Sequence, residues 1–126
     1  MQARATITQV NPVSGTQYEV LPVTKNCRII MAGSQCTWTG QPTPLQIWFI
    51  VDAVTIEGYK FNPATATNYY ANSSYWDETS DRLALDAVSL TTSSPFILEG
   101  KSIQVLAEIT GGTVSELKAW VRYAKW

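Results

Sequence analysis

What most restricts this chain is its punctuation: residues that turn or break a backbone recur roughly every ten positions, too often for a long amphipathic helix. Asn11-Pro12 with Ser14-Gly15, Gly33-Ser34, the stretch "GQPTP" (40–44), "TTSSP" (91–95) and Gly111-Gly112 each divide one apolar segment from the next. The segments between them alternate with the two-residue period of a strand. "RATITQV" (4–10) is the first, and "QYEVLPV" (17–23) follows, with Pro22 predicting an edge position or a strand end. "NCRIIMA" (26–32) and "QCTWT" (35–39) read as a hairpin turning at Gly33-Ser34. "LQIWFIVD" (45–52) is the strongest strand, β-branched and aromatic, which predicts a central place covered on both faces.

Beyond it, "AVTIEGYKF" (53–61) reads as a turn into a short strand and "RLALDAVSL" (82–90) as another strand, with a helical turn as the competing reading because Ala and Leu also favour helix. Residues 62–81 read as a long polar, aromatic loop with one short strand near Tyr69-Tyr70. "FILEGKSIQVLAEIT" (96–110) reads as one strand interrupted at Gly100, joined by the Gly111-Gly112 hairpin to a last strand ending in "WVRYAKW". About eight to ten strands and no helix predict an all-β fold, an antiparallel sandwich of jelly-roll type, as a single domain over residues 1–126.

Charge narrows the function. Nine Lys+Arg against ten Asp+Glu give a net charge of -1, and only 15 % of residues are charged. With no basic stripe the electrostatic drive for nucleic-acid binding is missing, and no polybasic segment suits a membrane surface. The longest apolar run, "IWFIV" (47–51), is too short to span a bilayer. "MQARATITQV" lacks an apolar core, so no signal peptide is expected, and Asn72-Ser73-Ser74 is expected to carry no glycan. Under that expectation Cys27 and Cys36 are reduced, buried thiols, with a disulfide across the predicted hairpin as the alternative.

No histidine is present, which removes the commonest general base and transition-metal ligand. Paired carboxylates remain, because glycosidases need only two. Asp77, Glu78 and Asp81 cluster in the loop, and Asp52, Glu57 and Asp86 lie elsewhere. Nothing marks any of them for an apolar pocket, and the loop acids Asp77, Glu78 and Asp81 read as solvated charges. "DETSD" (77–81) has oxygen donors but not the spacing or glycine of an EF-hand loop. "LEGKS" lacks the first glycine of a phosphate loop. The expectation is a non-enzymatic protein without catalytic residues, metal or cofactor.

The aromatic residues are what remains. On the last strand Leu117, Ala119, Val121 and Tyr123 share one parity, while Trp120 stands with Lys118 and Arg122 on the other, where water would be expected. Trp120, Arg122 and Trp126 are therefore the candidate oligomer interface. Tyr69, Tyr70, Tyr75 and Trp76, flanked by Asn and Ser, are the candidate contact for a partner protein or a glycan. Trp48, Phe49 and Phe96 read as core.

The block "FILEGKS" (96–102), the hairpin Gly111-Gly112-Thr113 and the ending Tyr123-Ala124-Lys125 resemble small virion structural proteins of tailed bacteriophages, of the capsid-decoration or head- and tail-fibre type. The resemblance covers most of the chain and is weakest between residues 62 and 90. It implies a β-sandwich or jelly-roll subunit located in the virion, most often a trimer, contacting the major capsid protein or other virion proteins. A carbohydrate- or receptor-binding module is the competing expectation.

Overall fold

The structure is a computed structural model and describes residues 2–89 and 98–126. The predicted turn at 91–95 and core residue Phe96 lie outside the described residues. Eight strands follow in chain order: β1 (Gln2–Val10), β2 (Tyr18–Gly40), β3 (Leu45–Val51), β4 (Val54–Phe61), β5 (Tyr69–Asp77), β6 (Arg82–Ser89), β7 (Leu98–Ile109) and β8 (Thr113–Lys125). The all-β expectation holds: among the described residues there is no helix, and so none long and apolar enough to cross a membrane.

All strands belong to one sheet ordered β1-β8-β2-β5-β6-β4-β3-β7, and a further β2–β7 pairing closes six of them into a barrel. β2 is the seam. Cys27, Arg28 and Ile29 pair at once with β7 and with β8, so those neighbours occupy opposite edges of β2. Farther along, Gly33 pairs with Trp120 of β8 and with Tyr70 of β5. β7 and β5 thus share one edge of β2 end to end, and the ring closes through β3, β4 and β6. The pairing is antiparallel except between β4 and β6, which meet in parallel at Glu57 and Ala84. That departure from a purely antiparallel sheet arises because the chain leaves β4, crosses to β2 as β5, and returns by the β5–β6 hairpin beside β4.

The core follows from alternation. Leu45, Ile47 and Phe49 of β3, Ile103, Val105, Ala107 and Ile109 of β7, and Leu117, Ala119 and Val121 of β8 are all buried at every second position. Tyr59 is enclosed with them and donates its hydroxyl hydrogen to Ser34 Oγ at 3.0 Å. Its partner satisfies the one polar atom that such a ring brings inside. As predicted, β3 is central, lying between β4 and β7. Trp48 is only half-buried there and donates from Nε1 to Glu108 Oε1 at 3.1 Å. At the β7–β8 hairpin Gly111 and Gly112 both have positive φ, 69° and 73°, the conformation a tight turn demands.

Three expectations are corrected. The hairpin at Gly33-Ser34 does not exist: β2 runs 23 residues without turning. Gly33 carries ordinary strand backbone, and its missing side chain serves packing against a neighbour instead. Cys27 and Cys36 are consequently nine positions apart on one extended strand, about 30 Å of chain, which no disulfide can span. Both are buried free thiols, and desolvation pushes Cys36 up to about 11. Pro22, expected at an edge or strand end, lies inside β2, where the β7 register shifts between Leu21 and Thr24. A bulge there removes the need for a proline N–H in the ladder.

The third correction concerns residues 62–81, read as a loop. Residues 69–77 form β5, whose polar sequence reflects its exposure: only Gly33↔Tyr70 and Ser34↔Tyr69 tie it to β2, and a bulge interrupts its β6 ladder between Ala71 and Ser74. The true connection, 62–68, is fastened onto β2. Trp38 Nε1 donates to the Pro63 carbonyl at 3.2 Å, and Gln35 Nε2 donates to Asn68 Oδ1 at 2.8 Å.

Gly58 is where the barrel is tightest, beside the β3–β4 register shift between Ile47 and Phe49. A Cβ there would overlap the Ile47 carbonyl oxygen, a backbone atom that cannot swing aside. Gly15, with φ of 81° and no atom within 4 Å of a built Cβ, faces left-handed strain alone. Gly58→Ala is therefore expected to cost about 3 kcal/mol by overpacking, and Gly15→Ala only about 1 kcal/mol. Urea unfolding of the two variants checks this; equal losses would contradict it.

Candidate functional site

The outer face of β1, β8 and β2 holds a groove of about 620 Å³. Alternation builds it: Ala5 and Ile7 of β1 and Leu117, Ala119 and Val121 of β8 turn toward the core, leaving the intervening residues on the other face. The register sets them in rows, with Arg4 opposite Arg122, Thr6 opposite Trp120 and Thr8 opposite Lys118. Met31 and Tyr70 close the far side.

Trp120 forms the floor. It lies opposite Gly33, and a Cβ on that glycine would come within 2.5 Å of the indole Cε2 and Nε1. The glycine leaves a flat patch of backbone on which the ring can lie. Tyr70 meets the indole edge-on, with centroids 5.9 Å apart and planes inclined at 71°. Such a pair contributes about 1 kcal/mol beyond the area it hides. Trp120 is thus half-covered from within its own chain, with the remainder open to the groove.

The electrostatics are uneven. Lys118 is paired with Glu116 at 3.4 Å. Among the described residues Arg4 and Arg122 have neither an ion pair nor a side-chain hydrogen bond, yet they are directly opposed across two strands. Like charges in that relation destabilise a strand pair. The groove therefore has a cationic end, hydroxyls along one side and an aromatic floor, which can hold an anionic group beside an apolar one.

The other predicted residues separate. Trp126 follows β8 and is 64 % exposed, its backbone N–H donating to the Asn26 carbonyl at 3.0 Å. Tyr70 is buried beneath Trp120. Tyr69 stacks near Phe61, with centroids 4.1 Å apart, and its hydroxyl accepts from the Ala64 N–H at 3.2 Å. Tyr75 and Trp76 are exposed, but as successive residues of β5 they leave opposite sides of the strand. The four do not make one platform.

Sequence reasoning missed Glu57. It is 5 % exposed, although the sequence left it without a role. Its Oε1 accepts from Lys60 Nζ at 2.8 Å and its Oε2 from Ser80 Oγ at 2.6 Å. Ser80 Oγ also lies 2.8 Å from Asp77 Oδ2, and Asp77 Oδ1 accepts from the Thr79 N–H at 2.9 Å. The cluster clamps the β5–β6 turn to β4. Burial alone would raise the Glu57 pKa, but the hydrogen bonds from Lys60 and Ser80 outweigh it and hold the pKa below the ordinary glutamate value. Asp77 is likewise lowered, by Ser80 and the Thr79 amide. Both carboxylates are thus favoured as anions, sharing the Ser80 hydroxyl between them. Only the buried environment distinguishes Glu57, and "TIEGYK" (55–60) carries no signal of it. Among the described residues no three His, Cys, Asp or Glu side chains gather as metal donors.

No protein-family model and no curated protein matches the chain. Among solved structures it is similar to a chain from Bacillus endospore appendages, described as disulfide-linked pili, with a TM-score of 0.42 and 14 % identity over 100 % of this chain and 88 % of that one. A likeness that distant does not bear on function.

Two outcomes follow from this geometry. Gly33→Ala is expected to lift the Trp120 ring off β2, lowering stability by about 1–3 kcal/mol and changing the near-ultraviolet circular dichroism of the Trp120–Tyr70 pair. An unchanged spectrum would show that the ring does not depend on the glycine. Glu57 has a native pKa lowered from 4.5, so its stabilisation is complete above that value and is lost as pH falls through the depressed native value. Glu57→Gln is expected to cost about 1–2 kcal/mol near neutrality and to shrink the loss of stability as pH falls below about 4.5, measured by urea unfolding.

Proposed function

We propose that this chain is a non-enzymatic structural protein that works by assembling with other protein chains. Following the resemblance of residues 96–102 and 111–125, we read that assembly as a virion, with the chain as a capsid-decoration protein. In this reading copies associate, a trimer being favoured, and sit on the major capsid protein or its neighbours. The closed sheet is then a flattened, jelly-roll-like sandwich whose outer faces make the contacts.

The observation that carries the reading is the aromatic surface of β8. Trp120 remains half-open over the groove, and Trp126, about 20 Å farther along the strand, is 64 % exposed. A large ring left in water contributes most when a neighbour covers it, and tryptophan and arginine dominate the energetics of protein interfaces. A stable contact buries about 800 Å² on each partner, and the β1–β8–β2 face offers an extended surface for one.

Light scattering at micromolar concentration, alone and with purified capsid shells, tests the proposal. A symmetric oligomer or shell-bound protein is expected, weakened by Trp126→Ala. A monomer that ignores shells removes it.

A second reading rests on Trp76, 59 % exposed on β5 among Asn and Ser residues. A carbohydrate-binding module would stack a sugar ring on it. A glycan array with the native chain and Trp76→Ala separates the two readings, since absence of any saccharide signal eliminates this one.

A further inference from the structure

We propose that the groove on β8 takes an extended, carboxylate-bearing segment of a different protein, added as a further strand along the free edge of β1. This rests on the reading of the chain as an assembly protein and names the chemistry of the partner at that site.

The charge argues for a carboxylate. Arg4 and Arg122 face each other across the β1–β8 ladder with no anion among the described residues to separate them. A carboxylate between two guanidinium groups turns a repulsive pair into charge-assisted hydrogen bonds on both sides. Lys118 is already matched by Glu116, so the unmet charge is confined to the Arg4 end. Next to it Trp120 offers an apolar surface. The fitting segment therefore has an acidic residue and, two positions away on the same side of its strand, an apolar one.

The edge argues for a peptide. β1 is the first strand in the sheet order and, among the described residues, is bonded only to β8, in unbroken register from Gln2↔Ala124 to Val10↔Glu116. It has no proline, no lysine and no bulge to block further pairing, and its single charge is Arg4, which an acidic partner would neutralise. A row of backbone donors and acceptors thus lies directly beside Arg4, Thr6 and Thr8, as in domains that recognise peptides by strand addition. An acidic sugar could use the arginines but would leave that row unpaired.

A second copy of β1 does not fit. "QARATITQV" has no carboxylate to set beside Arg4. The acidic segment must come from another chain.

The test uses the intact protein and a short end-capped peptide alternating Asp with Val, its counterpart with Lys replacing Asp, and a polyglucuronate as an acidic saccharide. The Asp peptide is expected to bind, to shift the nuclear magnetic resonance signals of β1 amides, and to perturb Trp120. The Lys peptide should not bind. Arg4→Glu and Arg122→Glu, both at the surface, should each weaken the Asp peptide about tenfold or more and turn the preference toward the Lys peptide. Equal binding of both peptides, indifference to the two substitutions, or binding of the saccharide in place of the peptide overturns the proposal. Shell association that persists in Arg4→Glu without peptide binding also overturns it and leaves the assembly reading standing.

Discussion

Hydrogen bonding along β2 governs the rest of the molecule. A strand has two edges, and every N–H and C=O on them must find a partner when buried. β2 is long enough to give one edge to β8 and divide the other between β7 and β5, so a single segment binds both ends of the ring and the outer pair of strands. Its bulges, between Leu21 and Thr24 and again near Ile29 and Trp38, bend it so that this division is possible. Without that continuity the sheet would have two more unsatisfied edges and no closure.

The same continuity creates the groove. Because β2 passes straight through Gly33, a bare stretch of backbone lies opposite Trp120, and the indole settles on it instead of standing out into water. Tyr70, delivered by the short β2–β5 contact, holds the ring from the side. Packing and surface chemistry are therefore coupled here: the residues that complete the outer face of the sheet also shape the hollow beside Arg4 and Arg122. The clamp at Glu57 does a comparable job at the β5–β6 turn, where a polar strand only briefly paired with β2 is held by charge-assisted bonds.

How far the sequence revealed this depends on the kind of signal. Alternation was decisive where a strand buries one face, so β1, β7 and β8 were legible, as was the division of β8 between Leu117, Ala119, Val121 and the Trp120 side. β3 was legible from its β-branched and aromatic run, though Trp48 and Ile50 leave its second face only partly covered. Glycine was ambiguous. At Gly111-Gly112 it turns the chain, whereas at Gly33 it makes room for a ring, and only the strand opposite distinguishes the two. β5 was obscured because little of it is covered, so neither period nor hydrophobicity marks it. Of the site, Trp120 and Arg122 were visible as misfits on a polar parity. Arg4 was not, because its meaning depends on register with a strand from the far end of the sequence, and Glu57 was not, because its burial depends on the β5–β6 turn bringing Ser80 over it.

That register also sets an order of events. β1 is made first but finds its ladder only in β8, the most distant segment in the sequence, so closing that pair requires the longest loop in the chain. Contacts of such separation form slowly and late, after the more local β3–β4 and β5–β6 hairpins. Until β8 is available, the newly made β1 has both edges open and the Arg4 side of the hollow has no opposite wall. The hollow is therefore complete only once β1 and β8 have met.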